Sequence, residues 1–378
     1  MKKFIKLVTA ITIFGGGNVF AMQEEPLEVW QREGYVIGLA GRDVLPASLQ
    51  EILSIVQQAS DVARTEEVVA AHRVEIERVR SEVNDKQSFG GRTVEHSVNA
   101  EVFRHVIRHV LKISNGTLTV TNLASCTYVL QFENADGNKL EWIVMLAKKM
   151  WYPPYCEDFH NQRYKYQLPS RMAYSLRIAR IINERGLTHV ETPESYLVML
   201  KGDEEPTDDN SCYAIRRVDA DIQIDFPVVC ERARGGEQDS LTLVSEMLQV
   251  VYFVGLWDAY NNIVLRDTKA VFIDTECPGL GGNPWIHQQG DEAPVRPWLA
   301  LTERGENKIK RDGASGLQQL WERLFGFGQG KLFEGNSDRQ GWFEENILKG
   351  DRLVEGDDVF GLDRLRHNLI EFNARFRS

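Results

Sequence analysis

The sequence predicts an α+β fold in two lobes, with an antiparallel sheet ahead of a mainly helical part. Three observations support this prediction: three strand-like segments follow residue 116, helical patterns lie on both sides of them, and an apolar hairpin follows a long apolar helix. The 378 residues are 43% hydrophobic and 26% charged, which is ordinary for a globular chain with a sizeable core. The order of these elements is more informative than any one of them.

The first 21 residues have the pattern of a secretory signal peptide. Three lysines precede the apolar stretch from Leu7 to Phe14, and Ala21 supplies the small residue of a cleavage site. No later segment approaches the roughly 20 apolar residues that span a bilayer. We therefore expect a protein that is exported to a periplasm or secreted, without a membrane anchor after cleavage. A membrane-anchored or interfacial N-terminal helix is the alternative.

The formal net charge of the chain is −11. Nucleic acids and anionic membranes are themselves negatively charged, so this total argues against a general binder of either. We therefore expect no nucleic-acid partner. Any phosphate-binding site must be local.

Residues 22–112 are predicted to form an N-terminal helical extension. Apolar residues recur at helical spacing between residues 45 and 82, and Gly90-Gly91 breaks the pattern. A further helix is expected from Ala100 to Lys112, because Asn115-Gly116 behind it is a good stop signal.

Residues 113–218 are predicted to form the first lobe, which is built on an antiparallel sheet. The segments TLTVT, TYVLQFE and KLEWIVMLAKK have strand character, and Asp136-Gly137 is a strong turn signal between the last two. The remaining elements expected in this lobe are a helix from a Ser170 cap to Arg185, stopped by Gly186, and strands at Tyr196–Leu200 and Tyr213–Val218.

Residues 219–378 are predicted to form the second, mainly helical lobe. A long apolar helix from Leu241 to Leu256 leads into a polar loop that begins with Asp258. A hairpin then pairs Ile263–Leu265 with Ala270–Ile273. Further helices are expected near 316–325, 340–348 and 361–375.

Polar side chains border this hairpin on both sides. Asn262 precedes its first strand and Asp274 follows its second, at equal distances from Thr268 along the chain. Directly opposed hairpin positions bring side chains within roughly 5 Å of each other. An amide oxygen and a carboxylate at that separation suit Mg²⁺, which takes oxygen ligands. The pattern predicts that Asn262 and Asp274 share this cation, with Asp258 near it but not required as a ligand.

The order of strands, helices, polar loop and hairpin resembles the two-lobed protein-kinase-like fold, over roughly residues 113–280. This resemblance implies an antiparallel first lobe and a helical second lobe that bind Mg-ATP between them. It places Asp258 in the role of the catalytic base and Asn262 and Asp274 in the role of the metal ligands. The triplet that starts at Asp274 then stands where kinases have Asp-Phe-Gly.

The resemblance also implies a phosphate-binding lysine on the third strand. In the segment LAKK, Lys149 matches that position best, and Ala147, two residues back on the same face, would lie against the adenine of ATP. Lys148 would then point to the opposite side of the sheet. A one-residue change of register exchanges the two lysines, so both stay candidates.

Four features depart from the kinase pattern. The interval from Asp258 to Asn262 is one residue shorter than usual, and Trp257 stands where an arginine normally precedes the catalytic Asp. The loop Asn122–Cys126 contains no glycine for a phosphate clamp. The helix that ends near Arg185 has no mid-helix glutamate, and Glu184 at its end is expected on the surface.

Three functions follow as alternatives. The first is an exported phosphotransferase that uses Mg-ATP to modify a hydroxyl of a protein or of a small molecule. The second is a pseudokinase that keeps the fold as a binding or scaffold protein, which the four departures favour. The third is an unrelated exported α+β protein, because Asp and Asn also occur in caps and turns for local hydrogen bonding.

Overall fold

The structure is a computed structural model. It describes residues 36–38, 45–50, 52–54, 116–122, 127–134, 138–147, 167–199, 207, 210–219, 224–266, 268–273, 303–349 and 357–376. Within these ranges the chain combines antiparallel sheet with helices, which confirms the predicted α+β class.

The described residues contain nine strands and seven named helices. The strands are β1 (Val36–Gly38), β2 (Gly116–Asn122), β3 (Thr127–Asn134), β4 (Lys139–Ala147), β5 (Val190–Glu191), β6 (Ser195–Met199), β7 (Ser211–Arg216), β8 (Ile263–Arg266) and β9 (Lys269–Phe272). The helices are α1 (Gln167–Arg185), α2 (Phe226–Gly235), α3 (Gln238–Val254), α4 (Glu303–Leu324), α5 (Ser337–Asn346), α6 (Asp357–Phe360) and α7 (Leu362–Phe376).

Six strands form one antiparallel sheet in the order β1-β6-β7-β4-β3-β2. The three strands expected first, β2 to β4, are joined in sequence order, and the predicted turn Asp136-Gly137 lies between the last two. The two strands expected after α1 enter the same sheet beside β4. The short strand β1 adds an edge that the sequence did not predict.

Both faces of the sheet centre are buried. Val144 pairs with Ala214 and Ala214 pairs with Tyr196, so these three residues share one face, while Met145 and its partner Tyr213 occupy the other. All five are buried. This explains why β4 is a continuous apolar run from Trp142 to Ala147 and not an alternation, since a strand segment covered on both sides needs apolar residues at every position.

Different helical segments contact the two faces. On one face, the Ser175 hydroxyl of α1 lies 2.8 Å from the Tyr213 hydroxyl. On the other face, Trp142 Nε1 donates a hydrogen bond of 3.0 Å to Ser48 Oγ, in the helical residues 47–50. Part of the predicted N-terminal extension therefore packs on the face of the sheet opposite α1.

Helix α1 begins earlier than predicted. Ser170 does not cap it, because the helix starts at Gln167 and the Ser170 side chain is buried inside its first turns. The start is compatible with Pro169, since proline is tolerated in the first turn of a helix. The predicted end is confirmed: the helix stops at Arg185, and Gly186 has a φ of 63°.

The helical part is built around α3, which contacts α1, α2, α4, α6 and α7. The sequence did not predict α2, whose start is fixed by Asp225: its side chain accepts a 2.9 Å hydrogen bond from Val228 N. The predicted helix Leu241–Leu256 corresponds to α3, which begins three residues earlier and ends two residues earlier.

Helix α4 is far longer than the predicted segment near 316–325. Its sequence contains Gly305, Gly313 and Gly316, which lower intrinsic helix propensity by about 1 kcal/mol each and obscure the pattern. Two of these glycines are required by packing on α3, because a Cβ at Gly313 would lie 2.5 Å from the Tyr252 carbonyl oxygen. The close packing of α4 on α3 outweighs the weak helix propensity of these glycines.

The C-terminal helices close the apolar core with aromatic side chains. Trp321 of α4 meets Phe343 of α5 and Phe372 of α7, with ring centroids 5.8 Å apart in both pairs. The helices predicted at 340–348 and 361–375 are thus present with bounds shifted by one to three residues. None of the described helices is long and apolar enough to cross a membrane.

Several predictions lie outside the described residues. These are the signal peptide, the helix Ala100–Lys112, both candidate lysines Lys148 and Lys149, and the candidate metal ligand Asp274.

Candidate functional site

The candidate loop starts where α3 ends. Gly255 has a φ of 78°, and the amides of Gly255 and Leu256 donate to the carbonyls of Tyr252 and Val251. This left-handed cap turns the chain sharply at the end of the helix. The polar residues that begin with Asp258 therefore follow a rigid, buried helix end.

The hairpin after this loop has a register that differs from the predicted one. Ile263 pairs with Phe272 and Arg266 pairs with Lys269, which leaves two residues between the strands. The Asn262 carbonyl accepts a 3.0 Å hydrogen bond from Ile273 N.

The expected opposition of Asn262 and Asp274 is therefore wrong by one residue. The predicted hairpin has its centre on Thr268, as in a loop with an odd number of residues. A two-residue loop, which matches the twist of paired strands, moves the centre to the bond before Thr268. Asn262 faces Ile273, and Asp274 is the next residue along the chain.

The two described residues of the site differ in exposure. Asn262 is 8% exposed, whereas Asp258 is half-buried and its Oδ1 atom is shielded from solvent. Ala259 between them is fully buried and anchors the loop in the core. The loop thus holds one half-buried carboxylate and one buried amide within five residues.

Helix α4 supports this loop from the C-terminal half of the chain. Gln319 Oε1 accepts a 3.3 Å hydrogen bond from Tyr260 N, and Arg323 Nη1 donates a 3.2 Å bond to the Ile263 carbonyl. One turn before Gln319, Gly316 lies against the Leu256 carbonyl. Residues three to four apart share one helix face, so these α4 residues form one stripe under the loop.

Arg323 is the cation of this stripe. Its guanidinium carbon lies 3.8 Å from the Phe226 ring centroid and 5.3 Å from that of Tyr260. Burial lowers the pKa of Arg323 to about 10, against the opposing influence of Tyr260 and of the Asp258 carboxylate. The side chain is therefore a cation at neutral pH.

Sequence reasoning missed Gln319 and Arg323. The signal that could have found them is the spacing Gly313, Gly316, Gln319 or Leu320, and Arg323, which marks one face of a helix. The glycines conceal that spacing, because they argue against a helix when only propensity is considered.

The candidate nucleotide-binding lysines follow the last described residue of β4. Ala147 ends β4, where it pairs with Thr127, the first residue of β3. Lys148 and Lys149 come directly after it, outside the described residues. The assignment of these three residues to a nucleotide therefore stays a prediction.

Glu184 is on the surface, as expected. Its carboxylate accepts a 2.6 Å hydrogen bond from Arg180 one turn earlier on α1, and about two fifths of each side chain is exposed, 43% and 41% respectively. A pair of this kind is typical of a solvated helix face.

A second sheet ties the end of α1 to the hairpin. β5 pairs in parallel with β9, and Ala270 N donates a 2.8 Å hydrogen bond to the His189 carbonyl. The buried Glu246 carboxylate of α3 accepts from the amides of Thr188 and His189, at 2.9 and 2.6 Å. The strand that leads into Asp274 is thus fixed to both α1 and α3.

Asn262 is the described member of the expected cation site. Asn262 offers one hard amide oxygen, which fits Mg²⁺. In the part of the chain that the structure describes, no group of three or more His, Cys, Asp or Glu residues is suited to hold a metal. A cation at this place would depend on Asp274, which lies outside that part.

Comparison of the chain with protein-family models, with curated proteins and with solved structures gave no significant match.

Proposed function

We propose that the protein is an exported, kinase-like phosphotransferase that uses Mg-ATP to modify a hydroxyl group of a protein or a small molecule. The observation that carries the proposal is the arrangement of α3, the Asp258–Asn262 loop and the hairpin that ends just before Asp274. These elements follow one another along the chain in the same order as in a kinase-like site. They come after a sheet in which β2 to β4 are joined to the later strands β6 and β7.

Asp258 is assigned the role of base. A general base must be held in a fixed position within reach of the proton it accepts. Asp258 lies on a loop that is fixed by a buried helix end, by buried Ala259 and by the two α4 contacts. In this role its carboxylate accepts the proton of the substrate hydroxyl.

Asn262 and Asp274 are assigned to Mg²⁺, and Lys149 to the phosphates, with Lys148 as the alternative and Ala147 against the adenine. Mg²⁺, when bound, neutralises negative charge on the nucleotide phosphates. Phosphoryl transfer needs positioning and charge compensation more than covalent help from the protein, so this small set suffices in principle.

A pseudokinase is the second candidate, and one observation favours it. The carboxylate of Glu184 is paired with Arg180 on the solvated face of α1, so it does not serve as the ion-pair partner that a strand lysine has in active kinases. In this case the fold would bind nucleotide or a protein partner without turnover.

Export places a further condition on the enzyme. ATP is scarce in a periplasm, so an active phosphotransferase with a signal peptide would act after delivery into another cell or into a lumen that contains ATP. Retention of the intact protein in the cytoplasm, with residues 1–21 uncleaved, would contradict this part of the proposal.

Thermal unfolding with and without Mg-ATP tests the proposed nucleotide site. At 100 times the dissociation constant, ligand stabilises the folded state by about 2.7 kcal/mol, which raises Tm by a few degrees. We expect this rise in the unsubstituted protein only when Mg²⁺ is present, and we expect Asp274→Ala to abolish it.

The matched control is Asp338→Ala, which removes an exposed aspartate from the first turn of α5 and should keep the nucleotide-dependent rise. Absence of a shift with any nucleotide and divalent metal would overturn the proposal. A shift without ADP formation, in the presence of candidate hydroxyl substrates, would favour the pseudokinase.

A further inference from the structure

Two arginines of α1 contact the C-terminal part of α3. Arg177 Nη2 donates a 2.8 Å hydrogen bond to the Phe253 carbonyl, which lies in the last turn of α3. Two turns further along α1, Arg185 Nε donates a 2.7 Å hydrogen bond to Gln249 Oε1. The middle of α1 therefore meets the end of α3 that leads into the candidate loop.

The hydrogen bond from Arg177 completes the cap of α3. The last four carbonyls of an α-helix have no donor within the helix. In α3, the amides of Gly255 and Leu256 bond two of these carbonyls, and Arg177 bonds that of Phe253. A cation is favourable at this place, because the helix dipole concentrates negative partial charge at the C-terminus. Part of the cap thus comes from a separate helix.

Arg185 holds the ring of the residue whose carbonyl Arg177 bonds. Its guanidinium carbon lies 4.3 Å from the Phe253 ring centroid, which is within the range of a cation–π contact. Phe253 is only half-buried, so packing in the core does not enclose it on all sides. Both the backbone and the ring of Phe253 are therefore held by α1, two residues before the Gly255 turn.

The same helix is attached to the sheet by a chain of hydroxyl groups. Ser175 Oγ lies 2.8 Å from Tyr213 Oη, which donates a 3.0 Å hydrogen bond to Ser195 Oγ. All three side chains are buried, where the low dielectric strengthens such bonds. Residues two apart on a helix do not share a face, so Ser175 and Arg177 reach different neighbours. Helix α1 thus joins the sheet to the end of α3.

The sheet face that α1 covers is the face assigned above to the adenine. Met145 pairs with Tyr213, so the two side chains lie on one face, and Ala147 is two residues further along β4 on that face. A change in what this face binds would act on α1 directly. Through Arg177 it would also act on the backbone that precedes Asp258.

We propose that Arg177 is a positioning residue through which the placement of α1 on the sheet controls the Asp258–Asn262 loop. It acts on Asp258 only through the backbone from Phe253 onwards and does not touch the substrate. The proposal rests on the proposed function for the role of Asp258 as base. The mechanical connection itself can be measured without any nucleotide.

Hydrogen exchange resolved to single amides tests this connection. Arg177→Met removes the donor and the charge but keeps an aliphatic side chain. We expect the amides of Gly255 and Leu256 to exchange about tenfold faster, because a hydrogen bond from a charged group is lost at the helix end that they close. Arg177→Lys keeps a cation at the helix C-terminus and should limit the increase to about threefold.

Tyr213→Phe tests whether the sheet takes part. It keeps the ring and removes the hydroxyl that bonds to α1 and β6. We expect faster exchange at Gly255 in this variant as well, although the substitution lies in β7. Unchanged exchange at Gly255 would overturn the proposal, because Arg177 would then be a local cap that does not depend on the sheet.

Arg180→Met is the matched control on the same helix. Arg180 is exposed and pairs with Glu184, so its replacement should leave exchange at Gly255 and Leu256 unchanged. Leu369 of α7 is the internal reference, since an equal increase there would reveal general destabilisation.

Faster exchange at Gly255 in Arg177→Met and Tyr213→Phe, without an equal change at Leu369, supports the proposal. An increase confined to α1, or one of the same size at Leu369, overturns it. If Arg177→Met does not fold, Arg177→Gln is measured in the same way and has the same meaning. Because no nucleotide is present, a missing Mg-ATP shift would remove the proposed function and leave this result intact.

Discussion

Gly316 of α4 lies directly against the backbone carbonyl of Leu256: a Cβ atom at position 316 would be 1.7 Å from that oxygen. Leu256 is two residues before Asp258, at the point where α3 gives way to the candidate loop. The absence of a side chain at one position of α4 therefore sets how closely the helix approaches the loop, and hence where Gln319 and Arg323 reach it.

Gly316→Ala should destabilise the fold strongly, because the new methyl group meets backbone and cannot be relieved by a rotamer change. We expect a loss of about 3 kcal/mol in the free energy of unfolding, measured by urea denaturation. Gly341→Ala is the control, since it lies on an exposed part of α5 with nothing within 4 Å. There alanine should stabilise by about 0.5–1 kcal/mol. Equal effects at both positions would contradict the tight crossing.

Glu246→Ala should loosen the connection between α1 and the hairpin. The substitution leaves the amides of Thr188 and His189 without their carboxylate acceptor, and a hydrogen bond to a charged group contributes about 1.5–3 kcal/mol. Hydrogen exchange should become faster at Val190 and Ala270, where β5 meets β9. Glu344→Ala, at an exposed glutamate of α5, should leave these amides protected.

Glu322 is expected to make stability fall as pH rises. Burial raises the pKa of this carboxyl group above its ordinary value of 4.5, while the Gly330 and Leu332 amides and Gln318 oppose the shift. The folded state therefore binds the proton more tightly than the unfolded state, and its contribution is lost as pH rises from about 4.5 through the folded pKa.

Glu322→Gln removes this titration and keeps an oxygen acceptor for the Gly330 amide. The stability of the variant relative to the unsubstituted protein should increase between pH 4.5 and pH 7, as measured by urea denaturation at several pH values. Parallel stability curves for the two proteins would show that Glu322 is not perturbed in the folded state.

Cys212 should be unreactive in the native protein. It lies fully buried in β7, and burial raises its pKa to about 12, so the thiolate is scarce at ordinary pH. We expect iodoacetamide at pH 8 to leave Cys212 unlabelled until urea unfolds the sheet, as judged by peptide mass spectrometry. Rapid labelling of the folded protein would show that the sheet opens locally at this strand.

The strands and helices with regular local patterns were predictable from the sequence. β2 to β4 alternate or carry β-branched residues and are separated by turn residues, and α3 is rich in apolar residues, above all in its second half. These are local signals, and long-range packing agrees with them. Where packing opposes propensity, as at the glycines of α4, the local pattern predicted a helix that was too short.

The candidate site was predictable only in part. The loop that contains Asp258 and Asn262 follows from the apolar helix before it and the hairpin after it. The register failed because loops of two and of three residues are hard to distinguish in a segment such as Arg-Asp-Thr-Lys, and a one-residue change exchanges the faces. Arg323 escaped notice because its contacts with Phe226 and Ile263 join residues at least 60 positions apart.

The parallel pairing of β5 with β9 has a consequence for the time course of folding. Val190 leaves the ribosome about 80 residues before its partner Ala270. At 5–20 residues per second, this interval lasts roughly 4–16 s. During that time β5, which follows α1, has no partner strand. The nascent chain must therefore keep this segment from wrong pairings until the hairpin emerges, and slow translation across residues 191–269 would prolong that exposed period.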